Sequence, residues 1–192
     1  MLKIVKQYYV WVIFVVAVAA QFWFPVNTII ENNDIWATGE EFRIQTAPID
    51  PADPFRGRYV AIDVSVAIPD DWQNRHPGNG VYYIRLANGE DGFAKVLEVS
   101  VTPIKGDGVL KLDSGWRDWN NMIRLPFDRY YVAEELAPEA ERIYWDASRR
   151  NDEELTAHVT IKVKNGKGVI SGLYIDGARI ENYVREYLQQ NQ

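Results

Sequence analysis

Residues 46–60 have the sequence TAPIDPADPFRGRYV, in which a rigid loop passes into a β-strand. Each of its three prolines fixes one backbone angle and keeps the preceding residue out of the helical region. From Tyr59 onward the chain alternates strictly, with apolar side chains at Val60, Ile62, Val64 and Val66. A period of two over about eight residues predicts a strand with one buried face. The stretch therefore predicts a stiff loop followed by a half-buried β-strand.

The same loop carries clustered charges and a glycine. One hypothesis is that Asp50, Asp53, Arg56 and Arg58 form an exposed group that binds a partner. The alternative is that the aspartates cap turns and Arg56 pairs with one of them, since aspartates in proline-rich turns accept hydrogen bonds from nearby backbone amides. Gly57 lies where the loop turns into the strand, a place that often requires a positive φ.

Outward from this strand, turn sequences separate further strand-like runs. Asn-Gly and Asp-Gly between alternating apolar runs are strong hairpin signals. The predicted strands are residues 42–46, 58–68, 81–86, 93–102, 109–112, 157–163 and 169–175. Short strands in this number and at this spacing predict a mainly β (α+β) domain, either an antiparallel β sandwich or an open barrel. Apolar residues at helical spacing in 133–148 and 178–190 add one or two short helices.

Residues 8–26 form a nearly continuous apolar segment, long enough to cross a bilayer as a transmembrane helix. Lys3 and Lys6 precede it and acidic residues follow it, so the positive-inside rule predicts a single-pass signal-anchor with the N-terminus inside. The expected division is an anchor at 1–26, a linker at 27–40 and a domain at 41–192 on the outer, periplasmic face of the cytoplasmic (inner) membrane. The alternative is a signal peptide cleaved after Ala17-Val18-Ala19.

Composition excludes several classes of function. The chain has no cysteine, which removes disulfides, thiol catalysis and cysteine-bound metals. Its net charge is −6, and the first 25 residues contribute two lysines and no acid, so the remainder carries −8. A domain this acidic is not built to bind nucleic acid, which requires a basic face. We therefore expect no nucleic-acid partner.

Three blocks of the sequence, in order, resemble those of the GDYXXLXY-motif family. Residues 57–64 read GRYVAIDV, which match the namesake motif at Gly57 and Tyr59 and replace its Leu by Ile62. Arg58 stands where the family has Asp, and Val64 where it has Tyr, so no acidic role carries over to position 58. Residues 128–135, DRYYVAEE, resemble the second block, and residues 168–177, GVISGLYIDG, resemble the closing hairpin.

The resemblance implies a membrane-anchored protein with a polytopic membrane protein as partner, and it names no reaction. No cofactor is expected. It also suggests a binding site drawn from two blocks and expected on one face. The candidate binding residues are Asp50, Asp53, Arg56, Gly57, Tyr59, Tyr131 and Glu134.

Other constellations favour structural roles. His76 and His158 have no neighbouring ligand pattern for a metal. Asp63 and the loop aspartates match no calcium-binding loop, and Trp116 and Trp119 are either a lid on the core or an exposed platform for a partner or sugar. A Ser/Lys dyad would require a desolvated lysine, whereas the candidate lysines have strand-surface or turn positions: Lys95, Lys105, Lys111, Lys162, Lys164 and Lys167. The predicted function is a non-catalytic accessory or interaction module, and the alternative is a membrane-anchored hydrolase or peptidase-like enzyme.

Overall fold

The computed structural model of the chain describes residues 2–48, 59–69, 72, 80–113, 122–149 and 157–190. It begins with a single long helix, α1 (Leu2–Thr38), which contains Pro25. Large apolar side chains from Tyr8 to Phe24 point into open surroundings, and α1 is long and apolar enough to cross a membrane. The helix continues past residue 26, so residues 27–38 of the expected linker are helical.

Antiparallel strands build the rest of the domain. They are β1 (Glu40–Pro48), β2 (Tyr59–Ala67), β3 (Tyr82–Asn88), β4 (Ala94–Ser100), β5 (Val109–Leu112), β6 (Met122–Arg124), β7 (Arg129–Tyr131), β8 (Ala157–Lys164), β9 (Lys167–Ile175) and β10 (Ala178–Arg179). Seven form one sheet in the order β10-β9-β8-β1-β2-β6, with β7 also paired to β2. The other three form a small sheet in the order β4-β3-β5.

Two further helices cover part of the large sheet. Helix α2 (Ala137–Arg149) contacts β1, β2 and β8, and α3 (Ile180–Gln190) contacts β9 and α2. Their buried side chains recur at helical spacing, as in Ala140, Tyr144 and Ala147 of α2 and Ile180 and Val184 of α3. Burial of this apolar face stabilises the helices, which are too short to be stable alone.

Local sequence chemistry fixes two of the connections. Asn165 (φ 53°) and Gly166 (φ 79°) form a two-residue turn between β8 and β9, and Asp176 (φ 52°) and Gly177 (φ 75°) do the same between β9 and β10. Positive φ at both central positions is the type I′ geometry that matches the twist of a hairpin, and Asn-Gly and Asp-Gly adopt it readily. The alternation predicted for β2 is also present, because Val60, Ile62, Val64 and Val66 are all buried.

The mainly β class, with an N-terminal apolar helix and two short helices, is confirmed. In the described part of the chain the large sheet keeps open edges at β10 and at β6 and β7, so it is not a closed barrel. The strands β6, β7 and β10 were not predicted. Each has only two or three residues, too few for an alternating pattern to emerge.

The end of α1 is fastened to the β8–β9 hairpin by three lysines. The Nζ atom of Lys164 lies 2.7 Å from Asp34 Oδ2, and that of Lys167 lies 2.6 Å from Glu31 Oε2. Lys162 donates a hydrogen bond of 2.7 Å to the carbonyl oxygen of Trp36. We call these contacts the helix clamp. Together with the buried Ile35, the clamp joins the helix to the domain with only Gly39 between α1 and β1.

Candidate functional site

A partly exposed aromatic pair lies at the start of β2. Tyr59 of β2 and Tyr131 of β7 are direct cross-strand partners. Their ring centroids are 6.1 Å apart, with the ring planes inclined by 62°, an edge-to-face arrangement that aromatic pairs favour. Tyr131 is 68% exposed, although residues of its size are usually shielded.

An arginine completes this surface. The Cζ atom of Arg129 lies 5.2 Å from the centre of the Tyr59 ring, within the range of a cation–π interaction. A hydrogen bond with Tyr131, followed by the nearby Asp128 carboxylate, raises the pKa of Arg129 above its ordinary value. The guanidinium is therefore a permanent positive charge that lies over the Tyr59 ring and hydrogen-bonds to Tyr131. We call Tyr59, Arg129 and Tyr131 the aromatic–arginine patch.

Strand register places these three side chains together. Tyr59 pairs with Tyr131 and Ala61 with Arg129, and successive side chains on β7 point to opposite faces. Arg129 and Tyr131 therefore share the outer face with Tyr59, while Tyr130 between them points into the core, where it is buried. Farther along the same face, Asp63 accepts a hydrogen bond of 3.1 Å from Ser65 and pairs with Arg124 at 3.3 Å.

Tyr130 of β7 forms a hydrogen bond that connects this strand to α3. Its hydroxyl donates a 2.7 Å hydrogen bond to Glu181 Oε1 and accepts a 3.3 Å hydrogen bond from Arg179. Arg179 also donates to the carbonyl oxygen of Ser171 and pairs with Glu181 at 3.3 Å. Burial, assisted by the bond to Glu181, raises the pKa of Tyr130 to about 12. The phenol is therefore neutral at physiological pH. Its hydrogen bond to Glu181 holds β7, the strand that carries Arg129 and Tyr131, against α3.

The predicted site residues divide into two groups. Asp50, Asp53, Arg56 and Gly57 lie outside the described residues, as do Arg58, Trp116, Trp119 and His76. Tyr59 and Tyr131 come together on one surface, while Glu134 is exposed, three residues after Tyr131, in the connection to α2. Arg129 was not predicted, although its spacing of two from Tyr131 in the run Arg-Tyr-Tyr is the strand pattern that could have identified it.

His158 lies in an aromatic stack. Its ring lies parallel to that of Tyr174 at 5.1 Å and edge-on to Phe93 at 6.1 Å. Burial and the nearby Arg43 lower the pKa of His158, so the ring is neutral at physiological pH. Within the described ranges, no cluster of three or more His, Asp or Glu side chains is placed to hold a metal ion.

Of the comparisons with known proteins, the one with family models gives a match. No curated protein and no solved structure matches the chain. A family model described as "GDYXXLXY protein" matches residues 21–173, a range that includes the C-terminal half of α1, the patch and most of the β8–β9 hairpin. Because this match covers most of the chain, the protein belongs to the GDYXXLXY protein family.

Proposed function

We propose that this protein is a non-catalytic interaction module, anchored by residues 8–26 in the cytoplasmic membrane with its domain on the outer face, and that it binds a polytopic membrane protein. The observation that carries the proposal is the aromatic–arginine patch. Tyrosine and arginine are the residue types enriched at the energetic centres of protein interfaces. Here two tyrosines and one arginine lie side by side on the surface, and Tyr131 is largely exposed.

The anchor rests on the exposed surface of α1 and on the charges around it. None of the apolar window of α1 is covered by the domain, and an apolar surface of this extent requires a membrane or a partner. Lys3 and Lys6 lie before the apolar segment 8–26, while Glu31 and Asp34 lie after it, which favours a cytoplasmic N-terminus.

A partner in the same membrane follows from the helix clamp. The helix is continuous from residue 8 to Thr38, and the lysines of β8 and β9 bind its last two turns. A domain held in this way cannot move far from the bilayer, so it reaches proteins that lie beside its own anchor. The polytopic character of the partner is what the family resemblance implies.

The enzyme alternative receives less support from the side chains near the sheet. A serine–lysine mechanism requires a neutral, desolvated lysine beside the nucleophile. Lys164 and Lys167 instead form short ion pairs with Asp34 and Glu31. The hydroxyl of Ser171 donates to Thr160 at 2.9 Å. These groups serve the fold in their present arrangement.

A photo-crosslinking experiment tests the proposal. A benzophenone amino acid replaces Tyr131 in the full-length protein, and the membranes are irradiated before solubilisation. We expect an adduct whose second component is an integral membrane protein with several spans. The matched control carries the same group at Leu97 of β4, which is 64% exposed and lies on the other sheet. Equal adducts at both positions, or none at Tyr131, would contradict the proposal.

A further inference from the structure

The membrane-spanning part of α1 contains one polar position, at Gln21. From Tyr8 to Val26 it is the only residue with an amide or charged side chain. A hydrogen-bonding group in the hydrocarbon region has no water to bind and is costly unless a protein group satisfies it. Gln21 lies one turn before the end of the apolar segment, next to the aromatic run Phe22-Trp23-Phe24.

Pro25 creates a second unsatisfied group at the same place. In an α-helix the N–H of residue 25 would donate to the carbonyl oxygen of residue 21. Proline has no N–H, so Pro25 leaves the Gln21 carbonyl without its helical hydrogen bond. The side-chain amide and the free carbonyl of Gln21 therefore form a small polar site on an otherwise apolar surface.

We infer that Gln21 is the point where a transmembrane helix of the polytopic partner binds α1, through a side chain that hydrogen-bonds to the Gln21 amide and carbonyl. This inference rests on the proposed function and adds to it the contact inside the membrane. Interhelical hydrogen bonds of this kind are a known source of helix association in lipid.

Charge favours a different protein over a second copy of this chain. The part of the chain beyond residue 25 carries −8, and the helix clamp holds that domain beside its own helix. A parallel pair of α1 helices would bring two such domains side by side, and like charges would oppose the pairing. The partner helix therefore belongs to a protein without this acidic domain.

Through the helix clamp, a contact at Gln21 also affects the orientation of the domain. Gln21 and Glu31 are ten residues apart, which is about 15 Å along a helix. Glu31 is bound directly to Lys167 of β9. Binding of the partner helix at Gln21 therefore fixes the rotation of α1 about its own axis. Because the domain is attached to α1, this rotation also fixes the direction in which the aromatic–arginine patch faces.

Matched photo-crosslinking positions test this contact in native membranes. Phe14 is seven residues before Gln21 and lies on the same face of the helix, whereas Trp23 lies nearly opposite. Benzophenone side chains are placed at these two aromatic positions of the full-length protein. We expect a multi-span protein in the adduct from position 14 and lipid adducts alone from position 23.

Substitutions at Gln21 decide whether the contact is specific. Gln21→Leu should lower the yield of the position-14 protein adduct by about three- to tenfold, and Gln21→Asn should restore part of it. An adduct of twice the 22.1 kDa chain mass would identify a second copy and overturn the inference. A position-14 adduct insensitive to Gln21→Leu, equal protein adducts at both positions, or none at position 14 would also overturn it.

The outcome can be separated from that of the proposed function. If Tyr131 still crosslinks to a polytopic protein while position 14 does not, the interaction module stands and the Gln21 contact fails. If both positions fail to crosslink, the proposed function fails together with the inference.

Discussion

Tyr59 and Tyr131 lie directly opposite each other on β2 and β7, with ring centroids 6.1 Å apart. One residue belongs to the namesake block of the family motif and the other to the second block, which are far apart in the chain. The pairing of two short segments is therefore what creates the aromatic–arginine patch. Tyr59 and Glu134 were expected near the same face as Arg56, which lies outside the described residues, so that expectation stays a prediction. The strand register places Tyr59 and Tyr131 on one face. Their role in binding stays a prediction.

The first prediction concerns membrane topology. Because the chain has no cysteine, single cysteines can report the side of the membrane. A cysteine replacing exposed Glu186 on α3 should react with an impermeant maleimide in intact cells, and one replacing Lys3 should react only after lysis. The reverse pattern would exclude the orientation. A mature N-terminus at Ala20, found by sequencing, would exclude the anchor and favour the cleaved signal peptide.

The second prediction concerns the helix clamp. Exposed ion pairs contribute little to stability individually, so replacing Lys162, Lys164 and Lys167 together by alanine should change the melting temperature only slightly. The triple substitution should instead make the position of α1 relative to the domain more variable. Spin labels at Ile30 and Glu186 should give a narrow distance distribution in the parent protein and a broader one in the triple variant.

The control for the clamp is Lys95→Ala. Lys95 pairs with Asp91 at 3.7 Å within the β3–β4 hairpin and is not part of the helix clamp. The distance distribution should keep its width in this variant. If the triple variant also kept the parent width, packing around the buried Ile35 and not the lysines would hold the helix.

The third prediction concerns Tyr130. Tyr130→Phe removes the hydrogen bond to partly buried Glu181 and should lower the free energy of unfolding by about 1–2 kcal/mol near neutral pH. Tyr131→Phe serves as the control, with a smaller expected effect, because the hydrogen bond that it removes, to Arg129, lies on the solvent-exposed surface. Thermal unfolding of both variants, followed by circular dichroism, measures the difference.

This stabilisation should depend on pH in a defined direction. The pKa of Tyr130 rises from its ordinary value near 10 to about 12 in the folded protein, so folding favours the neutral phenol. The contribution is complete below about pH 10 and is lost as the pH rises from about 10 to about 12. The difference in melting temperature between the parent protein and Tyr130→Phe should shrink over this interval. A constant difference would show that Tyr130 does not titrate as the buried group.

The fourth prediction separates structure from recognition in the proline-rich loop. If the loop residues only hold the loop, Asp50→Ala, Asp53→Ala and Arg56→Ala should each cost roughly 0.5–2 kcal/mol of stability, the value of a lost cap or hydrogen bond. Any loss of partner binding should then follow the loss of stability from one variant to the next. If these residues form a recognition surface, binding should fall while the melting temperature stays constant.

Gly57→Val tests the backbone of the same loop. A positive φ at position 57 would make this substitution cost about 1 kcal/mol or more, because a β-branched residue tolerates that region poorly. An unchanged melting temperature would show that Gly57 has ordinary extended geometry.

Local sequence chemistry determined much of this protein. The alternation of β2, the Asn165-Gly166 turn, the spacing of apolar residues in α2 and α3 and the apolar helix α1 were all predictable. Each depends on interactions among residues within about ten positions of one another, so the pattern is present in the sequence itself. The family was predictable for a related reason, because its blocks occur in order along the chain.

Only the tertiary structure decided which distant residues meet. The short strands β6 and β7 exist because β2 offers them an edge, and the resulting register brings Arg129 to Tyr59. The helix clamp depends in the same way on lysines of β8 and β9 meeting acids of α1 more than 120 residues earlier. The spacing of charged and aromatic residues in the sequence does not show which distant residues they contact. Their pairing follows from the packing of the whole sheet, and sequence spacing alone does not encode it.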